Sequence, residues 1–231
     1  MPGFYLGIDE YFLLFIIPAM IFSLVMQIMV KSAYKRQSRV RNARGITGAM
    51  AAQMVLDANG VQNVRIEMTR GKLSDHYDPR HNVIRLSEGV YSQASVAAVG
   101  IAAHEAGHAA QHAKKYIPIK VRNAILPVCN IGSMAAVPLM ILGFALNFFG
   151  LVTLGLALYA LIAVFQLVTL PVEFNASKRA LRAIEGQNML QGSERAVAKK
   201  VLTAAAMTYV AALVVSLANL LRFLLRFSRR R

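Results

Sequence analysis

The chain has 231 residues, 56% of them hydrophobic, with a positive mean hydropathy and a formal net charge of +15. That is more apolar than a soluble domain of this length needs for its core, so much of the chain is expected to face lipid. The basic residues flank apolar stretches and no aromatic-interleaved basic motif accompanies them, which argues against nucleic acid and for the bilayer and its anionic headgroups as partner.

A helix crossing a hydrocarbon layer about 30 Å thick needs about 20 apolar residues. Residues 11–30 meet that rule, carrying only Gln27 as a strongly polar side chain and one proline, Pro18. Asp9 and Glu10 stand where a secretory signal has basic residues, so this segment reads as a retained anchor. Lys31, Lys35, Arg36, Arg39, Arg41 and Arg44 crowd just after it, and such clusters mark the cytoplasmic side. The N-terminus is then expected outside and residues 31–122 inside.

Within 31–122, Thr47 can cap a helix over 49–58, and Gly60 stands where a left-handed residue would stop it. The period then changes to that of two short strands, 63–68 and 82–86, separated by Gly71, Asp78 and Pro79. Ser92 or Ser95 can cap the next helix, which runs to Lys114 ahead of Pro118. A region this short folds only marginally without metal or membrane support.

Residues 123–171 are uncharged and too long for one crossing, and the break at 147–150 predicts a membrane hairpin with its aromatic-rich turn at the outer interface. Cys129, the one cysteine, lies in this hairpin, which excludes an internal disulfide and a cysteine-based zinc knuckle. Residues 172–200 are expected inside. Residues 201–221 are uncharged but rich in alanine and threonine, which leaves crossing, packing on the hairpin and lying in the interface all open. A full crossing would put the basic tail, 222–231, outside, against the rule that set the orientation.

The chemistry lies on the small-residue helix, which carries His104-Glu105-Ala106-Gly107-His108. Histidines four apart share a helix face, one turn from each other, so both imidazoles can reach one metal ion at about 2.0–2.1 Å. Glu105, beside the first of them, is placed to act as general base toward a metal-activated water. Three titratable groups interrupting a run of alanine and valine would be costly to bury without a metal or partners.

A hydrolytic zinc site takes a third protein ligand and keeps one position open. His112 lies about 12 Å along the axis from His104, too far to join, and the position six residues after His108 is Lys114. Glu173, just past Pro171 at the cytoplasmic end of the hairpin, is the candidate, against a plainer role paired with Arg179. Asp75, His76, Asp78 and His81 form a competing cluster, which reads either as a solvated turn or as a source of substrate-positioning or oxyanion-stabilising groups.

Three motifs, Ser74-Asp75-His76-Tyr77-Asp78-Pro79, 102–111 around the histidines through Gln111, and Pro171-Val172-Glu173-Phe174-Asn175-Ala176-Ser177, together with the N-terminal anchor, make the chain similar to the bacterial membrane zinc metallopeptidases called neutral zinc metallopeptidase type 2, or YugP-like. The last motif also resembles the glutamate motif of HtpX and CAAX-prenyl protease type peptidases, in which an aspartate follows four residues after a zinc-ligating glutamate; here that position is Ser177. The resemblance implies one Zn2+ per chain on His104, His108 and Glu173, with Glu105 as catalytic base. The expectation is a mostly α polytopic membrane protein with three or four transmembrane helices and a small cytoplasmic α+β, zincin-like region of the gluzincin kind. Its expected activity is a zinc metalloendopeptidase of a bacterial-type cell membrane, acting on a protein or peptide substrate. The alternatives are an inactive metal-binding membrane scaffold and a metal transporter; the apolar stretches hold too few polar groups for a transporter.

Overall fold

A computed structural model describes residues 9–228. In chain order, a π-helical turn (Phe12–Ile16) leads into α1 (Ile17–Gln37), followed by α2 (Gly48–Ala58), β1 (Arg65–Thr69), β2 (His76–Asp78), β3 (Val83–Ser87), the short α3 (Glu88–Tyr91), α4 (Val96–Ala113), α5 (Ile117–Ala145), α6 (Phe149–Gly186) and α7 (Ser193–Ser228). The described residues are mostly helical, with four helices long and apolar enough to cross a membrane and one small three-stranded sheet among them. The expected polytopic architecture with a small α+β region stands. The chain divides into two compact units, one of residues 1–26, 121–170 and 208–231, the other of residues 27–120 and 171–207.

In the first unit many large apolar side chains point outward, Ile131 and Met134 being more than two-thirds exposed, while Ala136, Met140 and Val152 are buried. The hairpin between α5 and α6 closes through small residues. A Cβ on Gly155 would lie 2.6 Å from the Ala136 carbonyl oxygen, so only glycine permits that approach. Asp9 accepts from the Phe12 amide and pairs with Arg222 at 3.2 Å and Arg226 at 3.0 Å. The end of α7 and the start of the first apolar helix therefore meet, which an even number of crossings permits by putting both on one side. Of the tail arginines in conflict with the charge rule, these two have an acidic partner; Arg229, Arg230 and Arg231 lie outside the described residues.

The second unit is built on an aqueous-type core. Leu56 of α2, Ile84 and Leu86 of β3, Ile184 of α6 and Leu190 are all buried around the alanine-rich α4. Thr47 caps α2 by accepting from the Met50 amide, Gly60 follows its end at φ +64°, and Ser95, rather than Ser92, caps α4 by accepting from the Ala98 amide.

Three features differ from the sequence expectation. The strands run 65–69 and 83–87 and pair in parallel, with the unexpected β2 antiparallel to β3 on its other side, giving the order β1-β3-β2. Residues 88–91 form their own helical turn before α4. Pro171 does not end its helix: although a proline lacks the amide donor and its ring crowds the carbonyl one turn earlier, α6 continues to Gly186, so Glu173 sits on a helix rather than past the end of one.

Candidate metal and catalytic site

Every member of the site lies in the second unit, on α4 and the continuation of α6. The two helices come into backbone contact at one place. A Cβ on Gly107 would stand 2.7 Å from the Ala176 carbonyl oxygen, so the glycine between the two histidines is what lets α6 approach. The approach brings the Glu173 carboxylate between His104 and His108.

The donor atoms of His104, His108 and Glu173 all lie within 4.8 Å of one another. Glu173 Oε2 is 3.3 Å from His104 Nε2 and 3.6 Å from His108 Nε2. Tetrahedral zinc with bonds of about 2.0–2.2 Å separates its donors by about 3.3–3.6 Å, so the two carboxylate–imidazole distances match the ion. Glu173 is 2% exposed, and a buried carboxylate with two imidazoles against it is the donor chemistry a divalent cation takes. The imidazoles meet edge to face, centroids 4.7 Å apart.

Each imidazole also has a partner behind it. His104 Nδ1 lies 3.1 Å from Ser177 Oγ and His108 Nδ1 lies 3.0 Å from Gln111 Oε1, which turns both Nε2 atoms toward Glu173. Ser177 thus stands against His104, a candidate metal ligand, in the position where the resembling peptidases carry an aspartate.

Glu105, next along α4, points to the same region without joining the donor set. The Tyr77 backbone amide donates to its Oε2 at 3.1 Å, tying this carboxylate to β2. Burial pushes the Glu105 carboxyl up, against the pull of His104 and His108, while Glu173 and Asp75 push in the same direction as burial. For His108, burial opposes protonation, but the neighbouring Glu173 and Glu105 carboxylates outweigh it and raise its pKa.

The competing polar cluster goes elsewhere. Asp75 accepts from the Ser87 amide and hydroxyl at 2.7 and 3.0 Å. His76 Nδ1 is 2.8 Å from the Ser74 carbonyl oxygen, and Asp78 pairs with His81 and Arg85 at 2.7 and 2.9 Å. His112 is 3.5 Å from the Tyr77 hydroxyl, and Arg179 donates to Asn175 rather than to Glu173. Sequence alone assigns no role to Gln111, Asn175 or the Tyr77 amide. The signal for Gln111 was available, since it follows His108 by three residues and so shares its helix face.

A family model described as "Putative neutral zinc metallopeptidase" matches residues 12–228. The chain is 44% identical over 216 residues to "Putative membrane protease YugP" of Bacillus subtilis (strain 168), a match covering 94% of this chain and 96% of that protein. No solved structure matches the chain.

Proposed function

Because the chain belongs to the family described as "Putative neutral zinc metallopeptidase", we propose that it is a membrane-bound zinc endopeptidase in which His104, His108 and Glu173 hold one zinc ion and Glu105 is the general base. The observation that carries this reading is the meeting of two imidazole Nε2 atoms and one buried carboxylate beside a second carboxylate that is outside the donor set. Ligands alone serve structure as well as turnover; a base beside an open site serves turnover.

His104, His108 and Glu173 would hold a zinc ion that supplies Lewis acidity and would bring the pKa of the attacking water down to about 7. Glu105 Oε2 accepts the proton of the attacking water and returns it to the departing amine nitrogen. The Tyr77 amide holds that carboxylate in place against the edge of the sheet. Since β2 is an edge strand and its Tyr77 amide faces Glu105, a peptide laid extended along that edge would present its backbone to the base. The substrate class is accordingly a protein or peptide.

The Lys31 to Arg44 basic cluster after the first apolar helix supports a cytoplasmic catalytic unit. With four crossings the Arg222 and Arg226 end then lies outside, where Asp9 offsets its charge.

The test is cleavage of casein by the detergent-purified, zinc-loaded chain beside Glu105→Gln prepared identically. Both proteins are expected to retain zinc, and the variant to lose at least about a hundredfold in rate, as removal of a general base does. Equal cleavage by both, or none by zinc-loaded wild type on casein and on membrane-inserted peptides alike, overturns the reading.

A further inference from the structure

Gln111 is fully buried on α4 and takes no part in the proposed chemistry, yet its carboxamide makes three hydrogen bonds. Nε2 donates to the Val172 carbonyl oxygen at 2.8 Å and to Asn175 Oδ1 at 3.0 Å, while Oε1 faces His108 Nδ1. Asn175 Oδ1 also accepts from Arg179 Nε at 2.8 Å.

The direction of this chain is set at its ends. A guanidinium can only donate, so the Asn175 atom facing Arg179 is its oxygen. That oxygen and the Val172 carbonyl can only accept, so the Gln111 atom facing both is its nitrogen. The Gln111 oxygen is left toward His108, whose Nδ1 must carry the proton. In the neutral ring that binds a metal, the Nε2 lone pair is thereby committed toward Glu173. A carboxamide free to flip would present its NH2 to Nδ1 as readily, and would favour the tautomer with a protonated, non-ligating Nε2.

We propose that Gln111 is the positioning residue of the metal site: clamped by Val172 and by the Arg179–Asn175 pair, it fixes the tautomer and ring orientation of His108. The same carboxamide ties α4 to the residue immediately before Glu173, so one side chain sets both a histidine ligand and the seating of the carboxylate ligand. His104 has no such clamp; its Nδ1 meets a hydroxyl, Ser177 Oγ, which can rotate to donate or accept. The site is therefore asymmetric, with His108 held by a relay anchored on α6 and His104 held by an adaptable partner. This proposal rests on the assignment of His104, His108 and Glu173 as metal ligands and not on peptidase activity.

The experiment is zinc competition with a chromophoric chelator, with the visible absorption of the Co2+-loaded protein as a second readout, on wild type, Gln111→Leu and Gln111→Glu. Leucine removes acceptor and donors together; glutamate restores the acceptor to His108 and removes the donors to α6. A merely structural role requires both variants to lose the same metal affinity, because both lose the Val172 and Asn175 bonds. The positioning role requires them to separate, with Gln111→Leu weakened about 10–100-fold, as loss of a partner behind a metal ligand typically does, and Gln111→Glu nearer wild type with a wild-type-like cobalt spectrum. Equal affinities for the two variants, unaltered affinity in Gln111→Leu, or a wild-type chain that binds no zinc each overturn the proposal. If Gln111→Leu does not fold, Asn175→Ala, which loosens the clamp at a half-buried position, takes its place: a severalfold loss of zinc affinity is expected, and unchanged affinity counts against it. A wild type that holds zinc and cleaves nothing would sink the peptidase reading and leave this comparison intact.

Discussion

The two units of this protein use the same packing device in different solvents. Gly155 lets α6 lie against the backbone of α5 in the apolar unit, and Gly107 lets α4 lie against the backbone of α6 in the other, each with a carbonyl oxygen where a Cβ would stand. In the apolar unit many large aliphatics face outward and the closest helix contact is made by small residues, Gly155 against Ala136, because lipid gives no hydrophobic drive to bury every large side chain. In the second unit Leu56, Ile84, Leu86 and Leu190 are inside, and burial from water drives association. Close approach at Gly155 therefore yields only packing. At Gly107 it also sets the distance between two histidines and a carboxylate.

The largest expected effect comes from removing the charge that this approach delivers. Glu173→Gln keeps the shape of the side chain but leaves two neutral imidazoles and a carboxamide, and zinc affinity should fall beyond the roughly 10–100-fold typical of losing an outer partner. Chelator competition measures this; retention of zinc at wild-type affinity would remove Glu173 from the donor set. Next come the two glycines, compared directly. Gly107→Ala and Gly155→Ala should each destabilise by about 1–3 kcal/mol through overpacking, read as a lower Tm in detergent. Only Gly107→Ala should also weaken zinc binding. If both variants lose zinc, the metal site depends on general integrity and the distinction between the units collapses.

A smaller effect tests the rival cluster. Asp75→Ala removes two hydrogen bonds to Ser87 at the junction of β3 and α3, and a loss of about 1 kcal/mol is expected for a partly buried acceptor. Zinc affinity should not change. A chain stripped of zinc by Asp75→Ala would place that aspartate among the residues the metal needs.

Local signals were legible in the sequence where physics is local. Thr47 and Gly60 bounded α2, the apolar stretches foretold the long helices, and the i, i+4 histidines with Glu105 marked the chemistry. Glu173 stood as a candidate on its position beside Pro171, and the family resemblance added weight to it. What was not legible depends on partners far away in sequence. The parallel pairing of β1 with β3 requires the chain between them to cross back to the starting end of β1, which no local signal announces, and β2, only three residues long, was hidden in a polar cluster that reads as a turn. The continuation of α6 past Pro171 is decided by the packing of Ala180 and Ile184 into the core, which outweighs one missing amide. Gln111 reads as one more polar residue on a helix until α6 brings Val172 and Asn175 to it.

The smallest expected effect concerns Asp78, which joins β2 to β3 and lies outside the candidate donor set. Hydrogen bonds from His81 and Arg85 hold its carboxyl well below the usual carboxylate range. A carboxyl depressed in the folded state contributes stability above its unfolded pKa of about 3.9, and that contribution is lost as pH falls from there through the folded value. Asp78→Asn removes the titrating group while keeping the shape. The variant should have a slightly lower Tm than wild type at pH 7, and its Tm should fall less steeply than that of wild type as pH drops below about 5. Because the pair lies near the surface, salt should shrink the difference at neutral pH. Zinc affinity should stay at the wild-type value at pH 7, since Asp78 touches β3 and His81 but none of the three donors. Parallel acid limbs in the two proteins would mean that these hydrogen bonds persist in the unfolded chain or do not form in solution. A concurrent loss of zinc would mean that β2 holds the site through more than the Tyr77 amide.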